Sequence, residues 1–268
     1  ILWDMLPMGN YRAHNWQCFG NLDRQPYAAI YTTLGCPYHC TFCCIQAPFK
    51  GGEKAMGMAE AVNSYRLWSP QWVINQIDTL VNKYQVRNIR ISDEMFVLNQ
   101  RHVHQICDLI IERGYDLNIW AYARVDTIKG EETLEKLKRA GFNWLCFGIE
   151  AANEGVRDDV AKGYTQDALF RTIKKVADND ISVLANYILG LPEDNLETMQ
   201  ETLDMALELN CEFANIYAGM AYPGSQLYDL AVGKNWPLPE KWSGYSQHSL
   251  DTLPLPTNHL SASEVLRF

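Results

Sequence analysis

Cys36-Pro37-Tyr38-His39-Cys40-Thr41-Phe42-Cys43 is the stretch from which the whole chain can be interpreted. It follows a strand-like run at 27–34 and a single glycine, so we predict a short loop at the end of a strand. Cysteine thiolates are the usual ligands of a [4Fe–4S] cluster, which normally takes four of them. The C-x3-C-x2-C spacing supplies three, and the missing fourth ligand would leave one iron free to bind a substrate or a cofactor.

Two other kinds of site use cysteines. A structural zinc site has four protein ligands, usually in two pairs a dozen or more residues apart, and the nearby Cys44 and His39 lack that spacing. A disulfide framework is typical of small secreted chains, whereas this chain has 8 cysteines in 268 residues. Zinc remains an alternative to the cluster. The apolar surroundings of Cys107 and Cys146 predict ordinary packing for both.

With an aromatic residue just before its last cysteine, the motif resembles the signature of the radical S-adenosylmethionine (SAM) superfamily. The resemblance implies that Cys36, Cys40 and Cys43 hold a [4Fe–4S] cluster, with Phe42 beside the cofactor. It further implies that the open iron binds the amino and carboxylate groups of SAM. Reduction by a donor such as flavodoxin or ferredoxin would then cleave SAM to a 5′-deoxyadenosyl radical that abstracts a hydrogen atom from a small-molecule substrate.

The composition limits which classes of partner and which cellular compartment we expect for this chain. The chain carries a net charge of −9 and is 47% hydrophobic and 21% charged, as in ordinary globular proteins. Its lysines and arginines are scattered, so we expect no nucleic-acid partner. No apolar run approaches the ~20 residues that span a membrane, and no signal peptide is visible. Free thiols without a secretion signal favour the cytoplasm.

The remainder of the chain alternates strands with helices. Such alternation indicates parallel βα units, and six units are too few for an eight-stranded barrel. We therefore predict an α/β fold, a partial (β/α)6 TIM-like barrel with parallel strands, over residues 27–232. The predicted strands are 27–34, 86–91, 117–122, 143–149, 182–189 and 213–218, and the predicted helices are 70–84, 99–113, 131–140, 165–179, 195–209 and 225–232.

The two ends are expected to belong to a longer protein. A Trp-x-x-Leu-Pro stretch at 3–7, followed by Tyr11-Arg12, resembles the connector that follows an N-terminal cobalamin-binding domain in one radical SAM branch. Residues 1–26 are therefore expected to be that connector, with cobalamin bound by a domain outside this sequence. Residues 233–268 are expected to start a C-terminal extension.

In such folds the chemistry lies at the carboxyl ends of the strands. Asp93 and Glu94 follow the strand at 86–91 and resemble the family's Asp-Asp-x-Phe segment, which implies a place near the SAM amino group. Gly51-Gly52-Glu53 follows the cysteine loop and is not equivalent to that segment. Arg124 follows the strand at 117–122 and suits a carboxylate ligand, with a structural ion pair to Glu94 or Glu150 as an equal alternative.

Three further residues complete the predicted SAM site. The resemblance implies that Glu150 bonds the ribose hydroxyls or the methionyl group, and that Lys162 neutralises the SAM carboxylate. Asn186 lies four residues before Gly190-Leu191-Pro192, a turn that resembles the family's Gly-x-Pro, and is implied to reach the ribose.

The predicted function is reductive SAM cleavage for cobalamin-dependent methyl transfer to an unactivated centre. The alternatives are cobalamin-dependent ring formation or rearrangement, a tRNA methylthiotransferase-like enzyme, and a non-catalytic metal or iron–sulfur module. The sequence does not name the substrate, because the cofactor carries the radical chemistry and the protein positions it.

Overall fold

The computed structural model describes residues 1–19, 23–59 and 62–268. Its strands are β1 (Tyr27–Ile30), β2 (Thr33–Leu34), β3 (Arg66–Leu67), β4 (Asn88–Ile91), β5 (Asn118–Ala123), β6 (Phe142–Glu150), β7 (Ser182–Leu189) and β8 (Phe213–Ala218). Its α-helices are α1 (Lys50–Ala55), α2 (Pro70–Tyr84), α3 (Gln100–Arg113), α4 (Glu131–Arg139), α5 (Glu154–Asp159), α6 (Gln166–Asp178), α7 (Leu196–Leu209), α8 (Gln226–Gly233) and α9 (Ala262–Arg267).

Six of the strands form one sheet in the order β1-β4-β5-β6-β7-β8. The β1–β4, β4–β5 and β5–β6 pairs are parallel, and a helix precedes each strand that joins the growing sheet. Consecutive strands therefore add side by side, as parallel strands joined by crossover helices must. The predicted parallel α/β architecture is confirmed.

The strand predicted at 27–34 is divided in the structure. β1 ends at Ile30, and β2 pairs antiparallel with β3 in a separate two-stranded sheet. The segment at 45–68 contains α1, in which the buried Glu53 accepts a hydrogen bond from the Ser64 amide. The other predicted strands and helices agree with the structure to within about two residues, which is the usual uncertainty of element ends.

The chain divides into two compact units. The first contains residues 1–34, 65–147 and 171–184, and the second contains 35–64, 148–170 and 185–268. In the first unit, Ile89 and Ile91 of β4 are fully buried, while Asn88 and Arg90 lie on the opposite face of the strand.

Local sequence signals explain where the helices begin and end. The Ser69 hydroxyl accepts a hydrogen bond from the Trp72 amide, and Pro70 occupies the first position of α2, where its missing N–H costs nothing. The Asn99 side chain caps α3 through the His102 amide, and Gly114 ends this helix in the left-handed conformation.

The N-terminal segment packs within the first unit. The Gln17 amide donates to the carbonyl of Asn118, and the Asn118 amide donates to the carbonyl of Gln17, at 3.0 and 2.8 Å. Asn118 also donates to Asn88 and accepts from Asn143, at 2.9 and 3.1 Å. This amide network ties the segment before β1 to the start of three neighbouring strands.

Two glycines in the second unit allow the chain to pass very close to itself. A Cβ atom added to Gly219 would lie 2.3 Å from the carbonyl oxygen of Gly190. The Gly219 amide donates to the carbonyl of Leu189 at 2.7 Å, so the backbone cannot retreat without losing this bond. Gly190 itself has a φ of +80° and lies against Val265 of α9.

Across the described parts of the chain, none of the helices combines the length and the apolar character needed to cross a membrane.

We predict that Gly219→Ala lowers the free energy of unfolding by about 1–3 kcal/mol, because the added methyl group displaces backbone atoms. Urea denaturation followed by circular dichroism measures the change. Gly233→Ala is the matched control, since nothing lies within 4 Å of its Cβ position. Equal stability of the two variants would contradict the close approach at Gly219.

Candidate active site

None of the three cysteines of the motif forms a disulfide, and all three lie in one loop of the second unit. Cys36 is buried, Cys40 is half-buried and Cys43 is exposed. The Cys43 amide donates to the carbonyl of Cys40 at 3.0 Å, which forms a tight turn between these two residues. Cys40 and Cys43 line the same cavity of about 120 Å³.

Main-chain hydrogen bonds fix this cysteine loop on two sides. The Thr41 amide donates to the carbonyl of Val160 at 3.3 Å, and the Leu227 amide of α8 donates to the carbonyl of Thr41 at 2.8 Å. The Cys40 sulfur also lies 4.0 Å from the carbonyl oxygen of Ala161. The thiols are therefore held beside the turn that contains residues 160–162.

The chemistry of this loop fits an iron–sulfur cluster. Although Cys43 as a residue is exposed, desolvation of its sulfur raises the pKa of the thiol to about 11. A backbone hydrogen bond at Ile45 opposes this rise, and the charges of Cys40, Cys44 and Cys36 add to it. Within residues 1–19, 23–59 and 62–268, no three His, Cys, Asp or Glu side chains gather around a single-ion position. Thiolates bound to separate irons of a cluster need not converge in that way.

Phe42 connects the cysteine loop to an apolar cavity. Its ring packs on a buried cluster formed by Ala151, Val156, Val160 and Leu191. On its other side the ring lines a cavity of about 190 Å³, together with Ile188, Leu191, Tyr217, Ala218, Gly219, Met220, Tyr222 and Gln247. The cavity therefore lies at the ends of β7 and β8, next to the loop that carries the cysteines.

Gln247 forms part of the wall of this cavity. Its carboxamide nitrogen donates to the carbonyl of Ala218 at 2.8 Å, and its carboxamide oxygen accepts from the amide of the same residue at 3.3 Å. Because the Ala218 peptide is the last of β8, this side chain occupies the outer hydrogen-bonding positions of an edge strand.

Glu150 and Lys162 form a buried ion pair. The Lys162 Nζ atom lies 2.7 Å from Glu150 Oε1, and each side chain is only 6% exposed. Lys162 also donates to the carbonyl of Gly148 at 3.0 Å. Both residues were predicted from the sequence to contact SAM, and in the structure their side chains contact each other.

The backbone around this pair is unusual. Glu150 has a φ of +67° and Ala161 a φ of +58°, conformations that non-glycine residues rarely adopt. A Cβ atom at Gly148 would lie 2.6 Å from Glu150 Oε1 and 2.9 Å from Lys162 Nζ, so a larger residue there would make the ends of both side chains shift. Strained backbone of this kind clusters at binding sites and persists only where its surroundings enforce it.

Arg157 and Tyr164 enforce the strained turn. The fully buried Arg157 guanidinium donates to the carbonyls of Ala151, Ala152 and Tyr164. The Tyr164 hydroxyl donates to the carbonyl of Ile149 at 2.6 Å. Neither residue stood out in the sequence, because their hydrogen bonds to this turn run to backbone carbonyls. Arg157 also pairs with Glu154 and lies over the Tyr164 ring.

The turn after β7 is fixed by a buried carboxylate. Asp194 Oδ2 accepts hydrogen bonds from the Gly190 and Leu191 amides, both at 2.9 Å, and Oδ1 accepts from the Thr198 hydroxyl at 2.7 Å. Burial raises the pKa of Asp194, and these three donors oppose that rise. Within β7, the Asn186 side-chain oxygen accepts from the Asn215 amide at 3.0 Å.

Asp93 belongs to the first unit and is fully buried there. Its carboxylate accepts from the Thr32 amide at 2.6 Å and from the Thr32 hydroxyl at 2.5 Å, and the same hydroxyl lies 3.2 Å from His102 Nε2. Burial raises the pKa of Asp93 and lowers that of His102. The Asp93 carboxylate thus holds the end of β1, and the half-buried Glu94 follows it.

Arg124 forms an ion pair with Asp126, whereas the sequence suggested Glu94 or Glu150 as its structural partner. Its Nε and Nη2 atoms lie 2.9 and 3.2 Å from the two carboxylate oxygens of Asp126, two residues later. The guanidinium is nearly buried, whereas Asp126 is partly exposed. The fork of two parallel hydrogen bonds is the arrangement in which arginine binds carboxylates most specifically.

The predicted site residues are therefore divided between the two units. Cys36, Cys40, Cys43, Phe42, Glu150, Lys162 and Asn186 lie in the second unit, and Asp93, Glu94 and Arg124 lie in the first.

A comparison with protein-family models matches residues 30–206 to the radical SAM superfamily. The chain is a member of the radical SAM superfamily. The match contains the cysteine loop and β4 to β7.

Curated relatives of this radical SAM chain are much longer proteins. An uncharacterised methyltransferase from Pyrococcus horikoshii is 27% identical over 244 residues, which are 91% of this chain and 48% of the relative. An anaerobic magnesium-protoporphyrin IX monomethyl ester cyclase from Rubrivivax gelatinosus is 28% identical over 72% of this chain and 33% of the relative. The chain thus spans half or less of the length of these relatives.

Among solved structures, the radical SAM methyltransferase TsrM from Kitasatospora setae, with cobalamin and a [4Fe–4S] cluster bound, superimposes with a TM-score of 0.65. The alignment covers 79% of this chain and 37% of TsrM at 17% identity. At that identity the likeness concerns the fold, and it confirms the predicted partial (β/α)6 barrel. The predicted resemblance to cobalamin-dependent radical SAM proteins is also confirmed.

We predict that Lys162→Met lowers the free energy of unfolding of the cluster-free protein by about 3–5 kcal/mol, because it leaves the Glu150 carboxylate buried without a partner. Adding Glu150→Gln should restore part of this loss. Lys174→Met, which breaks the exposed pair with Asp178, is the control and should cost less than about 1 kcal/mol. Urea denaturation that shows no difference between the two lysine variants would argue against a buried pair.

Proposed function

We propose that this chain is the catalytic part of a radical SAM enzyme that binds a [4Fe–4S] cluster through Cys36, Cys40 and Cys43. The observation that carries the proposal is the bond between the Thr41 amide and the Val160 carbonyl. It joins the loop of the three cysteines to the turn that contains Lys162, so the proposed cluster ligands and a cation for the cofactor are held by the same turn.

Each of these residues has a defined task in the proposed reaction. When bound, the cluster would supply the electron that cleaves SAM to a 5′-deoxyadenosyl radical. Lys162 neutralises the SAM carboxylate, which takes the place of the Glu150 carboxylate at a Nζ atom already buried and charged. Glu150, once released, accepts hydrogen bonds from the ribose hydroxyls or contacts the methionyl group.

The apolar cavity beside Phe42 suits a flat heterocycle. Its walls are mainly aliphatic and aromatic side chains from the ends of β7 and β8, and we assign it to the adenine of SAM. Asn186 on β7 reaches the ribose in this proposal. Two contacts stay predictions. One is between the Asp93-Glu94 segment and the SAM amino group, and the other is between Arg124 and a carboxylate.

The reaction that we propose is cobalamin-dependent methyl transfer to an unactivated centre of a small molecule. Support comes from the similarity to a methyltransferase along 91% of this chain and from the fold shared with TsrM. In this proposal residues 1–26 connect the barrel to a cobalamin-binding domain outside this sequence, and residues 233–268 begin a C-terminal extension. Flavodoxin or ferredoxin serves as electron donor in a reducing cytoplasm.

Cobalamin-dependent ring formation is the second candidate. The 28% identity to the anaerobic cyclase from Rubrivivax gelatinosus over 72% of this chain favours it.

The experiment that separates these candidates uses the full-length protein with cobalamin and SAM labelled in its methyl group. Methyl transfer predicts that the label appears on cobalamin, measured by liquid chromatography with mass spectrometry. Ring formation predicts 5′-deoxyadenosine without labelled methylcobalamin. Absence of both products would contradict the proposed function.

We predict that Cys40→Ala abolishes cluster binding, because two thiolates cannot hold the cube in place. Iron and sulfide content and the absorption of the anaerobically reconstituted protein measure the loss. Cys44→Ala is the matched control from the same loop and should keep the cluster. If Cys44→Ala lost the cluster while Cys40→Ala kept it, the assigned ligands would be wrong.

A second prediction concerns SAM affinity. Lys162→Met should weaken SAM binding to the cluster-loaded protein about tenfold or more, because a charge-assisted hydrogen bond is lost. Isothermal titration calorimetry measures the affinity, and unchanged iron content shows that the cluster remains. Lys174→Met should bind SAM like the unaltered protein, and equal affinities of the two variants would refute the role of Lys162.

A further inference from the structure

One row of side chains crosses four neighbouring strands of the sheet. Ala29 pairs with Arg90, Arg90 pairs with Trp120, and Trp120 pairs with Trp144 in the parallel registers of β1, β4, β5 and β6. Register partners in a parallel sheet project to the same face. An alanine, an arginine and two tryptophans therefore lie side by side in the first unit.

Arg90 has no anionic partner in this row. Its guanidinium carbon lies 4.7 Å from the ring centre of Trp120 and 5.8 Å from that of Tyr122, which orients the group by cation–π contacts. Throughout 1–19, 23–59 and 62–268, no carboxylate pairs with it. The phenol of Tyr27 lies within hydrogen-bonding reach of Arg90, and burial raises the pKa of that phenol.

Two buried donors at this place lack acceptors. The Nε atom of Arg90 and the indole Nε1 atom of Trp120 are both inaccessible to solvent and make no hydrogen bond, and Trp120 as a whole is only 3% exposed. Buried donors are almost always satisfied in folded proteins, so one acceptor shared by these two register partners would satisfy both.

The face beside Arg90 has room for a ligand. Ala29 is exposed although it lies in a strand of the sheet, and Tyr31, two residues later on the same face, is 43% exposed. His14 is also exposed, and its ring stacks on Trp16 at a centroid distance of 5.4 Å and an interplanar angle of 8°. Desolvation, Arg90 and Arg24 lower the pKa of His14, which favours the neutral ring.

We propose that Ala29, Arg90, Trp120 and His14 form the niche that binds the substrate, a flat conjugated molecule with a carboxylate group. The carboxylate places one oxygen on Arg90 and the other on the indole N–H of Trp120, which satisfies both unpaired donors. The conjugated ring lies over Ala29 and against His14, because aromatic surfaces stack well on one another. This inference rests on the proposed function, since it assigns the substrate class of the same enzyme.

The test measures binding of three probes to the reconstituted protein by calorimetry. 1-Naphthoate has both the ring and the carboxylate, methyl 1-naphthoate has the ring alone, and acetate has the charge alone. We expect 1-naphthoate to bind at least tenfold more tightly than either other probe, because a hydrogen bond to a charged group contributes about one factor of ten or more. Equal binding of the ring with and without its charge would overturn the proposal.

Two variants and one control locate the binding. Arg90→Met should weaken 1-naphthoate binding about tenfold or more, and Ala29→Leu should do the same by filling the niche without removing a polar group. Arg87→Met is the matched control, because Arg87 forms an exposed pair with Asp116. Ala29→Leu changes a residue with an exposed surface, so it remains informative if Arg90→Met does not fold. A loss of affinity in Arg87→Met, or none in Ala29→Leu, would contradict the niche.

Formation of 5′-deoxyadenosine without substrate separates this inference from the proposed function. We expect the unaltered protein and the Arg87→Met control to keep the cluster and to release 5′-deoxyadenosine at the same rate. If the unaltered protein bound 1-naphthoate but never cleaved SAM, the proposed function would fail and the niche would stand. If it cleaved SAM but bound none of the probes, the niche would fail alone.

Discussion

The hydrogen bond from the Thr41 amide to the Val160 carbonyl is the contact on which the rest of the second unit depends. It fastens a loop that has no regular secondary structure to a turn that a buried arginine already holds rigid. A loop of eight residues without regular secondary structure keeps one conformation only through contacts with its surroundings. The conformation of the cysteine loop therefore depends on the turn after β6, and the proposed cluster site would be only as rigid as that turn.

The turn after β6 contains two features that cost folding free energy. Burying an ion pair gains little stability over burying apolar groups, and left-handed backbone at Glu150 and Ala161 adds a cost. Neither feature is explained by folding alone. Both are explained if Lys162 binds an anionic ligand at a buried position. Glu150 then pairs with the Lys162 charge when no ligand is bound.

The fold was predictable from the sequence because its signals are local. Cysteine spacing, strand–helix alternation and helix caps each involve residues close together in the chain, and the structure agrees with them. Contacts between distant residues left no such trace. Asp126 as the partner of Arg124, and the row that places Arg90 beside Trp120, depend on loop conformation and on strand register, which a one-residue shift would change entirely. The resemblance to a family supplied the remaining site residues, but not their partners.

The carboxamide of Gln247 on the last peptide of β8 has a consequence for how the sheet ends. Edge strands attract further strands through their unpaired amides and carbonyls, and proteins must block that growth. Here a single side chain fills both positions at Ala218. A seventh strand from this chain or from a neighbouring molecule could not pair with Ala218, because Gln247 already bonds its amide and its carbonyl. This glutamine therefore opposes intermolecular β-association at that point of the edge.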